Sequence, residues 1–132
     1  MRGYFIGLVL FASCVPALAE DEATLVANGE KVFSRCQSCH FVGDKNLEKH
    51  GPHLNGLFGR TPGGLPDYAY SPGMRTFGKD KVWDEATLTS FLNDPMETVI
   101  GTNMRFAGLK KSKDIQAVLA YLATFDKDGK AK

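Results

Sequence analysis

Cys36-Gln37-Ser38-Cys39-His40 is the stretch on which the reading of the chain turns. Two cysteines separated by two residues have three chemical uses: a redox disulfide, half of a zinc site, or the attachment point of a c-type haem. A zinc site needs three or four good ligands, and only His50 and His53 remain to complete one. A thioredoxin-like motif opens a helix that follows a buried strand, whereas the residues before Cys36 carry a helical pattern. The haem reading uses every residue. Cysteines three apart on a helical turn face the same way, so both thiols can add to the two vinyl groups on one porphyrin edge. His40 follows at once and can turn its imidazole onto the iron. At the level of the motif alone, the disulfide and zinc readings stay open beside it.

The segment upstream has the form of an export leader. Arg2 supplies a minimal positive start, and Tyr4 to Ala12 form an apolar run too short to span a bilayer. Ala17-Leu18-Ala19 then gives the small-x-small pattern of a cleavage site, followed by Glu20 and Asp21. Residues 1–19 are expected to be removed after Ala19, leaving residues 20–132 as one soluble domain in the periplasm. Cys14 leaves with the leader. Lipid attachment at Cys14 is a second possible use, to which Phe11-Ala12-Ser13-Cys14 is a poor match.

Composition narrows the field further. A chain of 132 residues, 43% hydrophobic and 23% charged, fits one globular domain and not a disordered segment. Sixteen Lys+Arg against fifteen Asp+Glu exclude an electrostatic nucleic-acid binder, which needs a clear basic excess. Fourteen Gly and six Pro imply long turns between few regular elements. So short and loop-rich a chain has difficulty burying enough apolar surface by itself. Something else is expected to fill its centre.

The pattern of elements is helical. From Asp21 to Arg35, Leu25, Val32 and Phe33 form a stripe at i, i+7 and i+8. Gly29 lies on the same face, where it costs helix stability, and its expected use is to let another helix approach closely. From Phe41 to Val82 the chain is studded with Gly and Pro and reads as loop, with a short turn of helix at Leu54 to Phe58. Asp84 caps a helix running to about Asn93, with Leu88, Phe91 and Leu92 inward. Asp94-Pro95 opens a short helix, because Pro suits the first helical position, and Gly101 ends it. Ser112 starts the last helix, where Ile115, Val118, Leu119 and Leu122 repeat at helical spacing. Asp126 to Lys132 reads as a frayed tail. Nothing alternates as a strand does, so the class is all-α.

A haem held by His40 leaves a sixth position on the iron, and the candidates are Met74, Met96, Met104, His50 and His53. The two histidines lie close to His40 in a polar stretch and read as solvent-facing loop residues. Met74 reads as a plug in an apolar gap, and Met96 falls in the first turn of a helix, facing outward. Met104 sits in the glycine-bounded loop Gly101-Thr102-Asn103-Met104-Arg105-Phe106-Ala107-Gly108, which can press one side chain toward a metal without helical constraint. It is the preferred ligand, with an ordinary buried methionine as the alternative.

Taken in order, these pieces resemble the class I c-type cytochromes, within the branch of bacterial cytochrome c2 and mitochondrial cytochrome c. The likeness rests on Gly29-Glu30-Lys31-Val32-Phe33, the Cys36–His40 motif, Gly51-Pro52-His53-Leu54-Asn55-Gly56-Leu57-Phe58-Gly59-Arg60, Trp83, and the Met104–Gly108 loop. It implies a small cytochrome c fold, with first and last helices crossing at Gly29 and Phe33 against Val118 and Tyr121, and loops wrapped around one covalently bound haem c. It further implies that Pro52 offers its carbonyl to the ring N–H of His40, that Arg60, Tyr70 and Trp83 hydrogen-bond a haem propionate, and that Phe106 lies beside the exposed haem edge. Three positions depart from the family pattern: Phe91 replaces a tyrosine that bonds the methionine sulfur, Met74 falls near a buried polar residue, and Ile100 replaces a proline.

The function these features imply is one-electron transfer between redox complexes or dehydrogenases, without catalysis, because two filled axial positions leave no open site for a substrate. Transient docking at the haem edge is expected near Arg35, Lys49, Lys110 and Lys111. The alternatives are a ligand sensor or peroxidase with a displaceable Met104, and a haem-free thiol–disulfide protein.

Overall fold

The computed structural model describes residues 20–132. The leader, its cleavage site and Cys14 lie outside the described residues. Among the described residues five α-helices follow in order: α1 (Glu22–Phe33), α2 (Pro72–Phe77), α3 (Glu85–Asn93), α4 (Pro95–Thr98) and α5 (Ser112–Ala123), with a 3-10 turn at Gly78–Asp80 after α2. Among the described residues no strand forms, and a single antiparallel bridge joins Phe125 to Ala131.

Local chemistry sets most helix starts. The carboxylates of Asp21, Asp84 and Asp94 each accept the backbone N–H of the third residue on, at 2.9, 2.7 and 3.1 Å, satisfying a donor that has no partner inside the helix. Pro95 occupies the first position of α4 as its fixed φ allows. The segment 71–80, expected as loop, is helical for the same reason: Ser71 Oγ accepts Met74 N–H at 3.1 Å and Pro72 follows the cap. Conversely, Leu54 to Phe58 forms successive turns and not a helix.

The principal packing event is the contact of α1 with α5. A Cβ at Gly29 would stand 1.9 Å from the carbonyl oxygen of Ala117 and 2.7 Å from Tyr121 Cβ, so the two backbones meet where glycine removes the side chain. Phe33 then packs its ring on Tyr121, centroids 5.5 Å apart. Ile115, Val118, Leu119 and Leu122 of α5 are buried, as are Leu88, Phe91 and Leu92 of α3, as their spacing implies. α3 packs against both α4 and α5.

The expected frayed tail is instead an ordered turn. Asp126 accepts the backbone N–H groups of Asp128 and Lys130 through one carboxylate oxygen, at 2.8 and 2.9 Å. Its own N–H reaches the Lys130 carbonyl at 2.9 Å, and Lys132 N–H donates to Thr124 O.

The crossing supplies a direct test. Gly29→Ala gains helix propensity of about 1 kcal/mol but forces a methyl into the Ala117 backbone, an overpacking that costs about 3 kcal/mol or more. Denaturant titration of the holoprotein should show a net loss of about 2 kcal/mol or more, while Glu30→Ala on the exposed side stays near native. Equal stability for Gly29→Ala would contradict the close crossing.

Candidate functional site

Enclosed by α1, α3, α5 and the loops between them is a cavity of about 390 Å³, a volume typical of small-molecule and cofactor sites. Its walls include the buried side chains of Phe33, Leu57, Trp83, Leu88, Phe91, Leu92, Val118 and Leu122. Cys36, Cys39, His40, Pro52, Arg60, Met104 and Phe106 line the same space. Of the expected site residues, Tyr70 alone does not. It stands between the lining residues Ala69 and Ser71 and packs its ring edge-on against Tyr68, centroids 4.7 Å apart.

The cysteines are placed by the end of α1. Past Phe33 the chain continues as a turn in which Cys36 N–H donates to Phe33 O at 2.7 Å, and Cys39 and His40 N–H groups both donate to Cys36 O, at 3.1 and 2.9 Å. This helical turn brings both thiols to one wall. Burial pushes the Cys36 thiol above its usual range, against the opposing pull of the Arg35 charge.

His40 is oriented from behind. Its Nδ1 lies 2.8 Å from the Pro52 carbonyl oxygen, and because a carbonyl only accepts, Nδ1 carries the proton and Nε2 is the lone-pair nitrogen. Burial holds the imidazole below the ordinary histidine range, the Pro52 bond opposing and the Arg60 charge adding to the effect, which favours the neutral ring a metal requires. Gly51 makes the approach possible: a Cβ there would lie 2.5 Å from His40 Cε1. The segment is pinned by Gly51 N–H to Cys39 O at 2.8 Å and Leu54 N–H to Phe41 O at 2.9 Å.

Met104 is carried on a loop bounded by Gly101 and Gly108, both at positive φ, +80° and +92°. Its N–H donates to the hydroxyl of buried Thr102 at 3.2 Å; Thr102 N–H donates to Val99 O at 3.0 Å and Leu109 N–H to Leu92 O at 2.7 Å, so both ends of the loop are tied down. Phe91, buried beside the cavity, stacks on Trp83 with centroids 5.1 Å apart. Met74 is buried in the wall as its apolar-plug reading implies, and Met96 is exposed.

Two buried side-chain atoms among the described residues lack a hydrogen-bond partner: Arg60 Nε and His53 Nδ1. Arg60 donates through Nη1 to Asn55 O and through Nη2 to His53 O, each at 3.1 Å, so its charge meets dipoles but no carboxylate. A cation withdrawn from water calls for an anion. His53, expected to face solvent, is only 8% exposed, and burial with the Arg60 charge keeps it below the usual histidine range. His50 is exposed, as expected, and its carbonyl accepts the Tyr68 hydroxyl at 2.6 Å. Tyr68 is a lining residue that the sequence reading passed over.

An apolar chamber, two thiols on one wall, an oriented neutral imidazole, a thioether and an under-partnered guanidinium together suit a covalently held, carboxylate-bearing tetrapyrrole. At the surface, Arg35 lies over the Phe106 ring, 5.8 Å from its centroid. Lys110 Nζ donates to Asn93 O at 2.7 Å and lies 3.8 Å from Asp94, and Lys49 Nζ donates to Gln37 O at 2.6 Å. Lys111 is exposed at the start of α5. Arg105, exposed on the cavity's rim, is a further basic group that the sequence reading left out. Among the described residues no helix is long and apolar enough to cross a membrane.

Comparison with known proteins agrees with this construction. The sequence matches the Cytochrome c family over residues 26–126. It is 49% identical over 106 residues to cytochrome c2 of Afifella marina, covering 80% of this chain and 86% of that one. It is 40% identical to cytochrome c2 of Blastochloris viridis over the full length of both chains. Among solved structures it is similar to cytochrome cH from Methylobacterium extorquens, with a TM-score of 0.69 and 37% identity over 75% of this chain and 97% of that one. The chain therefore belongs to the cytochrome c family, all-α electron-transfer proteins that carry covalently bound haem c and are not enzymes.

Proposed function

We propose that the chain is a soluble periplasmic one-electron carrier whose single haem is attached through Cys36 and Cys39 and ligated by His40 and Met104. Residues 1–19 act as its export leader, and residues 20–132 form the working domain. The observation that carries this reading is the 2.8 Å contact from His40 Nδ1 to the Pro52 carbonyl. It leaves the other ring nitrogen with a free lone pair, inside a cavity that Met104 also lines.

When bound, the haem supplies an iron that alternates between ferric and ferrous states. The protein sets which state is favoured. The apolar walls from Trp83, Phe91 and Leu92 penalise the extra charge of the ferric form, which raises the potential. The Pro52 carbonyl makes His40 a stronger donor, which lowers it. Arg60 neutralises a propionate, with Trp83 at the same edge. Tyr70 has the weakest support of the proposed contacts, because its ring is turned onto Tyr68. Phe91 offers no hydroxyl to the Met104 sulfur, so the thioether keeps its full donor strength.

Phe106 would stand beside the edge through which the bound group exchanges electrons, and Arg35, Lys49, Lys110 and Lys111 would guide an acidic partner there. The ammonium groups of Lys49 and Lys110 are held on backbone carbonyls, which fixes the position of the field.

Met104→Ala should lower the midpoint potential by a sizeable part of the roughly 0.8 V that axial ligands span, and leave the ferric iron high-spin or open to added ligands. Met74→Leu should retain the native ligand set. A sulfur-to-iron charge-transfer band surviving in Met104→Leu would reject the assignment, and redox titration with visible spectroscopy reads both. Reversing charge at Lys110 and Lys111 together should cut the association rate with an acidic redox partner about tenfold at low salt, flatten its salt dependence and leave the potential near native. Stopped-flow rates indifferent to both salt and the reversal would place docking elsewhere.

A further inference from the structure

Asn55 is only 2% exposed, yet it lies outside the set of residues that line the cavity. Its side chain pairs with one loop as a strand would. Oδ1 accepts the N–H of Gly43 at 3.0 Å, while Nδ2 donates to Gly43 O at 2.8 Å and to Asn46 Oδ1 at 2.9 Å. Its backbone carbonyl accepts Arg60 Nη1. One buried amide thus joins the 43–46 loop to the segment that runs from Pro52 to Arg60.

The C-terminal turn closes over this junction. Gly56 N–H donates to Phe125 O at 3.4 Å, and a Cβ at Gly56 would stand 2.8 Å from Lys127 Cα. Gly129, at φ +75°, sits so close that a Cβ would fall 1.5 Å from Gly43 O and 2.7 Å from Asn55 Nδ2. The turn is braced internally by Asp126, whose carboxylate and N–H close on Asp128 and Lys130. On either side of Pro52 the chain is fastened by Gly51 to Cys39 and by Leu54 to Phe41. Downstream it is fastened by Asn55 and, through Gly56, by the turn.

We infer that Asn55 and the C-terminal turn Asp126–Lys132 form a clamp that positions the Pro52 carbonyl on His40, and thereby tune the carrier's potential from outside the haem site. The inference rests on the carrier reading, in which His40 ligates the iron. Asn55 is a positioning residue: it touches neither His40 nor Met104 and acts through the backbone segment that carries Pro52. Loosening the clamp weakens the bond from His40 Nδ1–H to Pro52, makes the imidazole a poorer donor and favours the ferrous state, so the potential moves up.

The test uses the holoprotein with Asn55→Ala, which deletes the amide, and Gly129→Ala, which pushes the turn off Gly43 without changing charge. The His40 Nδ1–H exchange rate, read by NMR in the reduced protein, should rise about tenfold or more in both variants, with an upward shift in midpoint potential. If Asn55→Ala fails to mature, Gly129→Ala carries the test alone. Variants that melt at lower temperature but keep the native exchange rate and potential would overturn the clamp and leave a merely structural role. Wild-type protein that holds no covalent haem would contradict the carrier reading instead.

Discussion

The cavity at the centre of the molecule is the constraint from which the rest follows. Most of the buried apolar side chains border a common space as well as one another: Phe33 from α1, Met74 from α2, Leu88, Phe91 and Leu92 from α3, Val118 and Leu122 from α5, with Leu57 and Trp83 from the loops. Filling about 390 Å³ of such space is worth on the order of 9 kcal/mol at ~24 cal/mol per Å³. That is comparable with the entire stability of a small domain, about 5–15 kcal/mol. The group that occupies the cavity is therefore a structural member of the core as well as the source of the chemistry, and attaching it covalently keeps the core from being lost.

Around that centre the protein is built from two kinds of constraint. The crossing of α1 and α5 is steric and specified by a single missing side chain at Gly29. The loops are held by polar bonds instead, and their work is orientation: Pro52 on His40, Thr102 beneath Met104, His53 and Asn55 under Arg60. The distribution suits an electron carrier, in which the ligand geometry must change little between redox states. A chain that folds its loops around a rigid insert keeps reorganisation small, because each loop is anchored at both ends by backbone bonds such as Leu109 to Leu92 and Gly51 to Cys39.

Features fixed by neighbouring residues were legible in the sequence. The caps at Asp84 and Asp94-Pro95, the apolar spacing in α3 and α5 and the Cys36–His40 motif are all local, and the structure has them where the sequence puts them. Ser71-Pro72 carries the same cap-and-proline signal as Asp94-Pro95, but it is embedded in a run of Gly and Pro that reads as loop, so α2 was missed. The tail read as frayed because it carries no apolar pattern, whereas its order comes from the bonds Asp126 makes to Asp128 and Lys130 and from close packing on the distant Gly43, Asn55 and Gly56. His53 read as solvent-facing because nothing local reveals that Arg60 folds back onto its carbonyl. Tyr70 entered by resemblance, and the orientation of a single ring is set by Tyr68 and the backbone around it rather than by the motif.

The intact mass of the exported protein under denaturing conditions is the most direct test of the central claim, since it reads processing and attachment together without any variant. The account predicts the mass of the chain from Glu20 to Lys132 plus one haem joined by two thioether bonds, with the haem retained through acid-acetone extraction. The mass of the bare polypeptide, or of that polypeptide less two hydrogens for a Cys36–Cys39 disulfide, would contradict it.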